Sequence, residues 1–200
     1  MEQKYSEWKR EVVAAAKKAY KQKLMAGTSG NMSIYCPEER RILITPSGYD
    51  YEIMEEKDIV VIDLAGNVVE GIHKPSSEWR MHVEIYKEVP EVRALVHTHS
   101  PYATSFAVVH QEIPLVLIEM ALFLKGSVEV SPFAAQGSAE VGKNAVPILK
   151  RKTACLMANH GALAAGGSIS EAYMNSVYLE DAARIYHMAC CVGRPVVISE

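Results

Sequence analysis

The chain has 200 residues, of which 49% are apolar and 22% charged, and its formal net charge is −3. This length and apolar fraction predict a single domain over residues 1–200 with a sizeable buried core. The weakly acidic balance argues against nucleic acid and anionic membrane surfaces as partners, and no stretch approaches the ~20 apolar residues of a membrane span.

The first half of the chain combines one helix with turns and short strands. Apolar residues recur every four positions over 6–25, which predicts an amphipathic helix. The next segment, Gly27-Thr28-Ser29-Gly30-Asn31, has two glycines beside hydroxyl and amide side chains, so its N–H groups could form an anion-binding nest. An ordinary helix-to-strand turn is the simpler alternative. Strands are predicted at 32–35, 41–44, 59–64 and 68–70.

Two further turns carry hydroxyl side chains. Thr45-Pro46-Ser47-Gly48 follows a predicted strand, and Pro75-Ser76-Ser77-Glu78 precedes a helix predicted over 77–87. Serine is a good N-cap residue, and a helix N-terminus with free N–H groups binds phosphate readily. A plain N-cap, with Glu78 favouring the helix dipole, is the alternative interpretation.

Three histidines are candidate metal ligands. His97 and His99 follow an apolar run that reads as a strand, and residues i and i+2 of a strand point to the same face. Two imidazoles side by side are half of a zinc site, although a chance His-x-His pair is the alternative. His160 comes at the end of the predicted strand 154–158, where Gly161 would let the backbone turn so that the imidazole faces a cavity.

The second half of the chain alternates helices and strands. Glu119 follows the predicted strand 113–118 and has apolar neighbours. If this carboxyl is buried, its pKa would be raised and it could act as an acid or base; a glutamate on a helix face is the alternative. Helices are predicted at 101–109, 138–150 and 168–191, and further strands at 128–130 and 162–165.

The four cysteines have neither a C-x-x-C spacing nor the pattern of a disulfide framework. Cys190 and Cys191 are adjacent in a predicted helix, which favours a packing role over redox chemistry. The polar N-terminus lacks the apolar core of a signal peptide. These features together predict a cytoplasmic protein.

Taken together, the motifs resemble the class II aldolase/adducin family, and within it the L-fuculose-1-phosphate aldolase branch. The resemblance spans nearly the whole chain and depends on five motifs in this order, Gly27–Asn31, Thr45–Gly48, Pro75–Glu78, His97–His99 and Asn159–Gly161. It implies an α/β fold, namely a three-layer α/β/α sandwich around a mostly antiparallel mixed sheet. It also implies a homotetramer with active sites near the subunit interfaces.

The resemblance further implies a zinc-dependent aldolase, an aldehyde-lyase that splits a ketose 1-phosphate into dihydroxyacetone phosphate and an aldehyde. His97, His99 and His160 would bind one Zn²⁺ per subunit. Glu78 would be the fourth ligand and, when substrate displaces it, the catalytic base. The substrate phosphate would be held by Gly30, Asn31, Ser47, Gly48, Ser76 and Ser77.

The chemistry of these residue types agrees with that reaction. Three neutral histidines leave zinc an open position, as a catalytic site requires, although another divalent transition metal would also suit it. Zinc then acts as a Lewis acid that stabilises the enediolate, and no lysine Schiff base is needed. A carboxylate beside the metal can shuttle the proton to and from the enediolate carbon.

Three departures from this branch concern the aldehyde side of the pocket. The tyrosine acid of the branch aligns with Ile118 or Glu119, so Glu119 would be the acid here, and a phenylalanine of the following loop is replaced by Gln136. The tyrosine-bearing C-terminal segment of the family is largely missing, because the sequence stops at Glu200. The resulting hypothesis is a less polar aldehyde, from a 5-deoxy- or 5-methylthio-pentulose 1-phosphate.

Related reactions remain as alternatives. Ribulose-5-phosphate 4-epimerases resemble this chain but usually have aspartate where Glu78 stands. Methylthioribulose-1-phosphate dehydratases share the histidines and use a glutamate near Glu119. Non-catalytic modules such as the adducin head domains lack the zinc histidines, so the three histidines here argue against that class.

Overall fold

The computed structural model describes residues 5–199. Its strands are β1 (Asn31–Cys36), β2 (Arg41–Ile44), β3 (Val60–Asp63), β4 (Val68–Glu70), β5 (Ala94–Thr98), β6 (Val130–Ser131), β7 (Ala154–Met157) and β8 (Gly161–Gly166). They form one sheet in the order β4-β3-β2-β1-β5-β8-β7-β6. Every neighbouring pair is antiparallel except β6 and β7, which are parallel.

Helices cover both faces of this sheet. They are α1 (Ser6–Lys21), α2 (Trp79–Glu88), α3 (Pro101–Val108), α4 (Ala139–Leu149) and α5 (Ile169–Val192). Buried residues of α2 and α4 pack on one face, and those of α1, α3 and α5 on the other. The prediction of a three-layer α/β/α sandwich with a mostly antiparallel mixed sheet is therefore confirmed. None of the helices within residues 5–199 combines the length and apolarity needed to cross a bilayer.

The central strands are apolar at consecutive positions because both of their faces are buried. In β5, Leu95 packs in the layer of α2 and α4, whereas Ala94 and Val96 pack against α1 and α5. All five residues of β5 are buried, including His97 at 0% exposure. A stiff, fully buried strand thus carries the first candidate ligand.

Two local expectations are wrong. The segment 113–118 is not a strand, since only Ile113 pairs across, with its N–H and C=O bonded to Val128. Pro114 has no N–H to donate, so this segment cannot be paired on both edges as a central strand would be. Cys190 and Cys191 are exposed on α5 rather than packed in the core.

Helix α2, which follows the Pro75–Glu78 motif, lies very close to α4. At Gly142 of α4, an added Cβ would lie 2.6 Å from the carbonyl oxygen of Met81 and 2.9 Å from Cβ of Glu84. Real Cβ atoms do not approach backbone this closely, so a glycine is required for this helix contact.

We expect Gly142→Ala to destabilise the fold because α4 must move away from α2. Overpacking costs about 1–3 kcal/mol, of which the higher helix propensity of alanine offsets up to about 1 kcal/mol. Urea denaturation would measure the change in the free energy of unfolding. Gly193→Ala is the matched control, since its Cβ would have no atom within 4 Å, and wild-type stability of Gly142→Ala would contradict the packing argument.

Candidate active site

His97 lies at the centre of the site because β5 is paired on both sides. In the β1 pairing it is opposite Asn31, and in the β8 pairing it is opposite Leu163. Its Nδ1 is 2.9 Å from the carbonyl oxygen of Ala162. A carbonyl can only accept, so Nδ1–H donates and the lone pair of the neutral ring is on Nε2.

The three candidate ligands meet in space. Ring centroids are 4.8 Å apart for His97 and His99, 4.8 Å for His97 and His160, and 5.2 Å for His99 and His160. One ring nitrogen from each histidine lies within 4.8 Å of the others, and the Nε2 atoms of His97 and His99 are 3.0 Å apart. The expectation that His97 and His99 project side by side agrees with this geometry.

A tight turn between β7 and β8 brings the third imidazole in. The N–H of His160 donates to the carbonyl of Met157 at 3.0 Å, and Asn159 has φ +52°, a left-handed conformation that asparagine tolerates better than most residues. The turn therefore depends on Asn159 and not, as expected from sequence, on Gly161. Gly161 is needed for a different reason. A Cβ there would lie 2.5 Å from the carbonyl oxygen of Thr98, so only glycine allows this close approach of the two backbones.

Glu78 joins the cluster from the end of the segment before α2. Its side chain is buried, with Oε2 3.1 Å from Nε2 of His97 and Oε1 3.1 Å from Nε2 of His160. Burial by itself would raise the pKa of Glu78, but the two histidines outweigh it and lower that pKa well below its usual range. The carboxylate is thus held ionised.

His99 is held neutral. Burial lowers its pKa to about 4, and the neighbouring imidazoles of His97 and His160 act in the same direction. Metal ligation requires the neutral ring, so the electrostatics of the cluster favour the ligating form at neutral pH.

The donor atoms fit a small divalent cation. Oε1 of Glu78 and Nε2 of His160 are buried and have no hydrogen-bond partner among residues 5–199, although they are only 3.1 Å apart. Such orphaned atoms are costly unless another group satisfies them. Zinc binds nitrogen and oxygen at about 2.0–2.2 Å, so donors about 3 Å apart can share one ion.

Backbone pairing brings the predicted phosphate segments to the same end of the sheet. Thr45 N–H bonds the carbonyl of Met32, and its Oγ1 accepts from Met32 N–H. Ser76 N–H bonds the carbonyl of Thr45, while Ser47 N–H bonds that of Lys74. The turn after β2 thereby links the start of β1 to the segment before α2.

The predicted phosphate residues differ in accessibility. Ser47, Gly48 and Ser77 are exposed, as a substrate contact requires, whereas Asn31 and Ser76 are buried. Oγ of Ser76 accepts from the N–H of Glu78 at 3.3 Å, so this serine also orders the backbone of the glutamate.

Gly30 is the point where the predicted phosphate loop touches the metal-ligand strand. Its φ is +80°, and a Cβ there would lie 2.7 Å from the carbonyl oxygen of His97. The Tyr51 hydroxyl donates to the carbonyl of Gly30 at 2.8 Å, which anchors the loop on its other side. Sequence reasoning missed Tyr51, for which no local motif gave a signal.

Glu119 lies apart from this cluster in the single chain. It precedes a short π-helix, Met120–Leu124, and its side chain is exposed. Of the two interpretations of Glu119, the isolated subunit agrees with an exposed glutamate and not with a buried carboxyl. The segment around it faces outwards, with Ile118 64% and Leu122 70% exposed. Within residues 5–199 no hydrogen bond or ion pair joins Glu119 to the three histidines.

Sequence comparison agrees with the site geometry. Residues 10–187 match the family model of the class II aldolase and adducin N-terminal domain. The chain is 36% identical over 190 residues to a 5-deoxy-D-ribulose 1-phosphate aldolase of Bacillus thuringiensis, covering 95% of this chain and 89% of that protein. It is 34% identical over 187 residues to a 5-methylthioribulose-1-phosphate/5-deoxyribulose-1-phosphate aldolase of Rhodospirillum rubrum, covering 94% and 83%.

Solved structures give the same relationship. An L-fuculose 1-phosphate aldolase superimposes with a TM-score of 0.92 at 37% identity, covering 98% of this chain and 92% of that one. The L-fuculose-1-phosphate aldolase from Thermus thermophilus superimposes with a TM-score of 0.80 at 26% identity, covering 94% and 97%. With its sandwich fold, its histidine cluster and these matches, the chain belongs to the class II aldolase and adducin family and is a lyase of the aldolase type.

Proposed function

We propose that this chain is a zinc-dependent aldolase that reversibly cleaves a ketose 1-phosphate to dihydroxyacetone phosphate and an aldehyde. The observation that carries the proposal is the Glu78 carboxylate 3.1 Å from both His97 and His160, beside a third imidazole. A proton-transfer group and a metal-ligand set are thus within one small space. We further propose that residues 1–200 act as a single catalytic domain, since one sheet connects all of the described strands.

In the proposal, His97, His99 and His160 hold the zinc, with Glu78 as the fourth ligand before substrate binds. The bound ion would supply a Lewis acid for the negative charge that develops on substrate oxygen as the carbon–carbon bond breaks. The protein orients His97 through its bond to the Ala162 carbonyl, as metal-ligating histidines require.

The phosphate would be held by the turns at the end of the sheet, through Gly30, Asn31, Ser47, Gly48, Ser76 and Ser77. Backbone N–H groups and hydroxyls can bind an anion without an arginine cluster, so an acidic protein can take an anionic sugar. The exposed Ser47, Gly48 and Ser77 support this assignment, because exposed groups can contact a substrate.

Glu78 would be the base that moves the proton on the phosphate-bearing half. In cleavage, the bond between carbons 3 and 4 breaks, and its electron pair is taken up by the carbon 3–carbonyl unit. The hydroxyl proton of carbon 4 would pass to the group that serves the aldehyde half as the aldehyde forms, and from there to water. Glu78 would take up one proton from water and pass it to carbon 3, so that one proton is lost and one is gained. In the reverse direction the ionised Glu78 removes that proton from dihydroxyacetone phosphate.

The acid for the aldehyde half stays a prediction. We assign that role to Glu119, which is exposed in one subunit and would need a second subunit to enclose it in the site. The exposed Ile118 and Leu122 on either side support a subunit contact at this point. The proposed assembly is therefore a homotetramer with Glu119 at a subunit interface.

The proposed aldehyde is one with an apolar end, from a 5-deoxy- or 5-methylthio-pentulose 1-phosphate. The names of the relatives from Bacillus thuringiensis and Rhodospirillum rubrum support this choice. L-Fuculose 1-phosphate is the second candidate, because the relative with a TM-score of 0.92 bears that name. The four free cysteines support the proposed cytoplasmic location.

We expect His97→Ala, His99→Ala and His160→Ala each to lower metal affinity by at least about tenfold, because each removes one donor. Elemental analysis after dialysis against a weak chelator would measure zinc per chain. His187→Ala is the control, since this histidine is exposed and its ring lies tilted beside that of Tyr102, with centroids 5.7 Å apart. A zinc-replete His97→Ala protein would contradict the site.

Proton exchange tests the role of Glu78. Zinc-loaded protein is incubated with dihydroxyacetone phosphate in heavy water, and loss of the hydroxymethyl proton signal is followed by NMR. We expect exchange in the wild type and a loss of at least about a hundredfold in Glu78→Gln, which removes the base but keeps its shape. Exchange at the wild-type rate in Glu78→Gln would overturn the assignment.

A substrate panel tests the proposed aldehyde. We expect kcat/KM for cleavage of 5-deoxyribulose 1-phosphate and 5-methylthioribulose 1-phosphate to exceed that for L-fuculose 1-phosphate by about tenfold or more, since an apolar site accepts extra hydroxyls less well. Cleavage would be measured in a coupled assay, in which the dihydroxyacetone phosphate formed is reduced by a second enzyme. A strong preference for L-fuculose 1-phosphate would instead support the second candidate.

A further inference from the structure

A chain of buried hydrogen bonds leads from Glu78 into the layer between α2 and the sheet. It passes through Asn31, His82, Ser33 and Tyr86, which are all less than 5% exposed. We propose that His82 is a positioning residue that acts through Asn31 to hold the Glu78 carboxylate in the orientation needed for proton transfer. This inference rests on the proposed function of Glu78.

Each link of the chain is short. Nδ2 of Asn31 donates to Oε2 of Glu78 at 2.9 Å, and Oδ1 of the same amide is 2.5 Å from Nε2 of His82. Nδ1 of His82 is 2.6 Å from Oγ of Ser33, and that oxygen is 2.6 Å from the Tyr86 hydroxyl. Both nitrogens of the buried imidazole are therefore used.

The carboxylate determines the direction of every bond. Because an ionised carboxylate only accepts, the amide nitrogen of Asn31 must face it and the amide oxygen must face His82. The oxygen accepts, so His82 carries its proton on Nε2, and its Nδ1 accepts the Ser33 hydroxyl proton. The Tyr86 hydroxyl then donates to Ser33.

Neutral His82 suits this arrangement. Burial lowers its pKa to about 3, and the neighbouring imidazole of His97 acts in the same direction. A neutral ring can accept the Ser33 proton on one nitrogen and donate to the Asn31 oxygen from the other. A charged ring would present two donors. The network is thus fully satisfied in one orientation, which makes it rigid.

The consequence for Glu78 is geometric. The Asn31 bond occupies Oε2, so rotation of the carboxylate about its last torsion would break it. Oε1 has no hydrogen-bond partner among the described residues and remains available for the reacting proton. Without His82, the Asn31 amide loses the partner on its oxygen and can turn, which releases the carboxylate.

A residue that only filled space here would be apolar. The other buried residues of α2, Met81, Val83 and Ile85, are apolar and pack in the core. Burying an imidazole, a hydroxyl and a phenol costs free energy unless all are hydrogen-bonded, and here all three are bonded in one network that ends at Glu78.

The test compares two variants of the zinc-loaded enzyme. His82→Gln keeps an N–H at the position of Nε2, whereas His82→Leu has a similar size and no donor. We expect His82→Leu to lower kcat and the heavy-water exchange rate by about ten- to a hundredfold. KM should change by less than about threefold, and the zinc content should be unchanged. His82→Gln should recover most of the rate.

Tyr86→Phe provides a second variant. It removes the hydroxyl at the far end of the hydrogen-bond chain and keeps the buried aromatic ring. We expect a smaller loss of kcat, about two- to tenfold, with unchanged zinc content. Independently of activity, ¹⁵N-edited NMR of the histidine rings should show the proton of His82 on Nε2.

The outcomes separate this inference from the proposed function. If the wild type fails to exchange protons, the proposed function fails. If the wild type exchanges and His82→Leu does so equally fast, only the role of His82 is overturned. Equal damage in His82→Leu and His82→Gln, a loss confined to KM or zinc content, or a proton on Nδ1 of His82 would also overturn it.

Discussion

The site depends on the burial of one charged group, the carboxylate of Glu78, among its hydrogen-bonding and charged neighbours. A charge taken out of water costs several kcal/mol unless it is paired and hydrogen-bonded, and here His97, His160 and Asn31 surround it. The two histidines lower the pKa of this carboxyl and keep it ionised beside three imidazoles, while its Oε1 has no hydrogen-bond partner among residues 5–199. The proposed base and the candidate metal ligands are thus linked by one electrostatic requirement, which is to compensate the buried charge.

Strand pairing supplies the rigidity that this requirement needs. The β1–β5 register puts Asn31 opposite His97, and the turn before β8 adds His160 from the other side. Two glycines permit the close approach, since a Cβ at Gly30 or Gly161 would strike the backbone of the strand that carries the ligands. The candidate ligands are therefore positioned by a strand, by the residue that follows it closely and by a tight turn between two strands.

The sequence by itself determined the class of fold, the three metal-ligand candidates and the reaction type. Periodicity located the helices within a few residues, because each buries one stripe, and the i, i+2 rule correctly paired His97 with His99. Five short motifs in order identified the family. Local rules failed at 113–118, where the apolar pattern favoured a strand but Pro114 removes a donor.

Only the tertiary structure decided which residues act together. His82 and Tyr86 of α2 follow Glu78, the residue before the helix, at intervals of four positions, which indicates one helix face. That spacing does not reveal that Asn31 and Ser33 of β1 meet them. The exposure of Glu119 was equally beyond local patterns, since apolar neighbours in sequence need not surround a side chain in space. Contacts between distant segments arise from strand register and layer packing, which no short motif encodes.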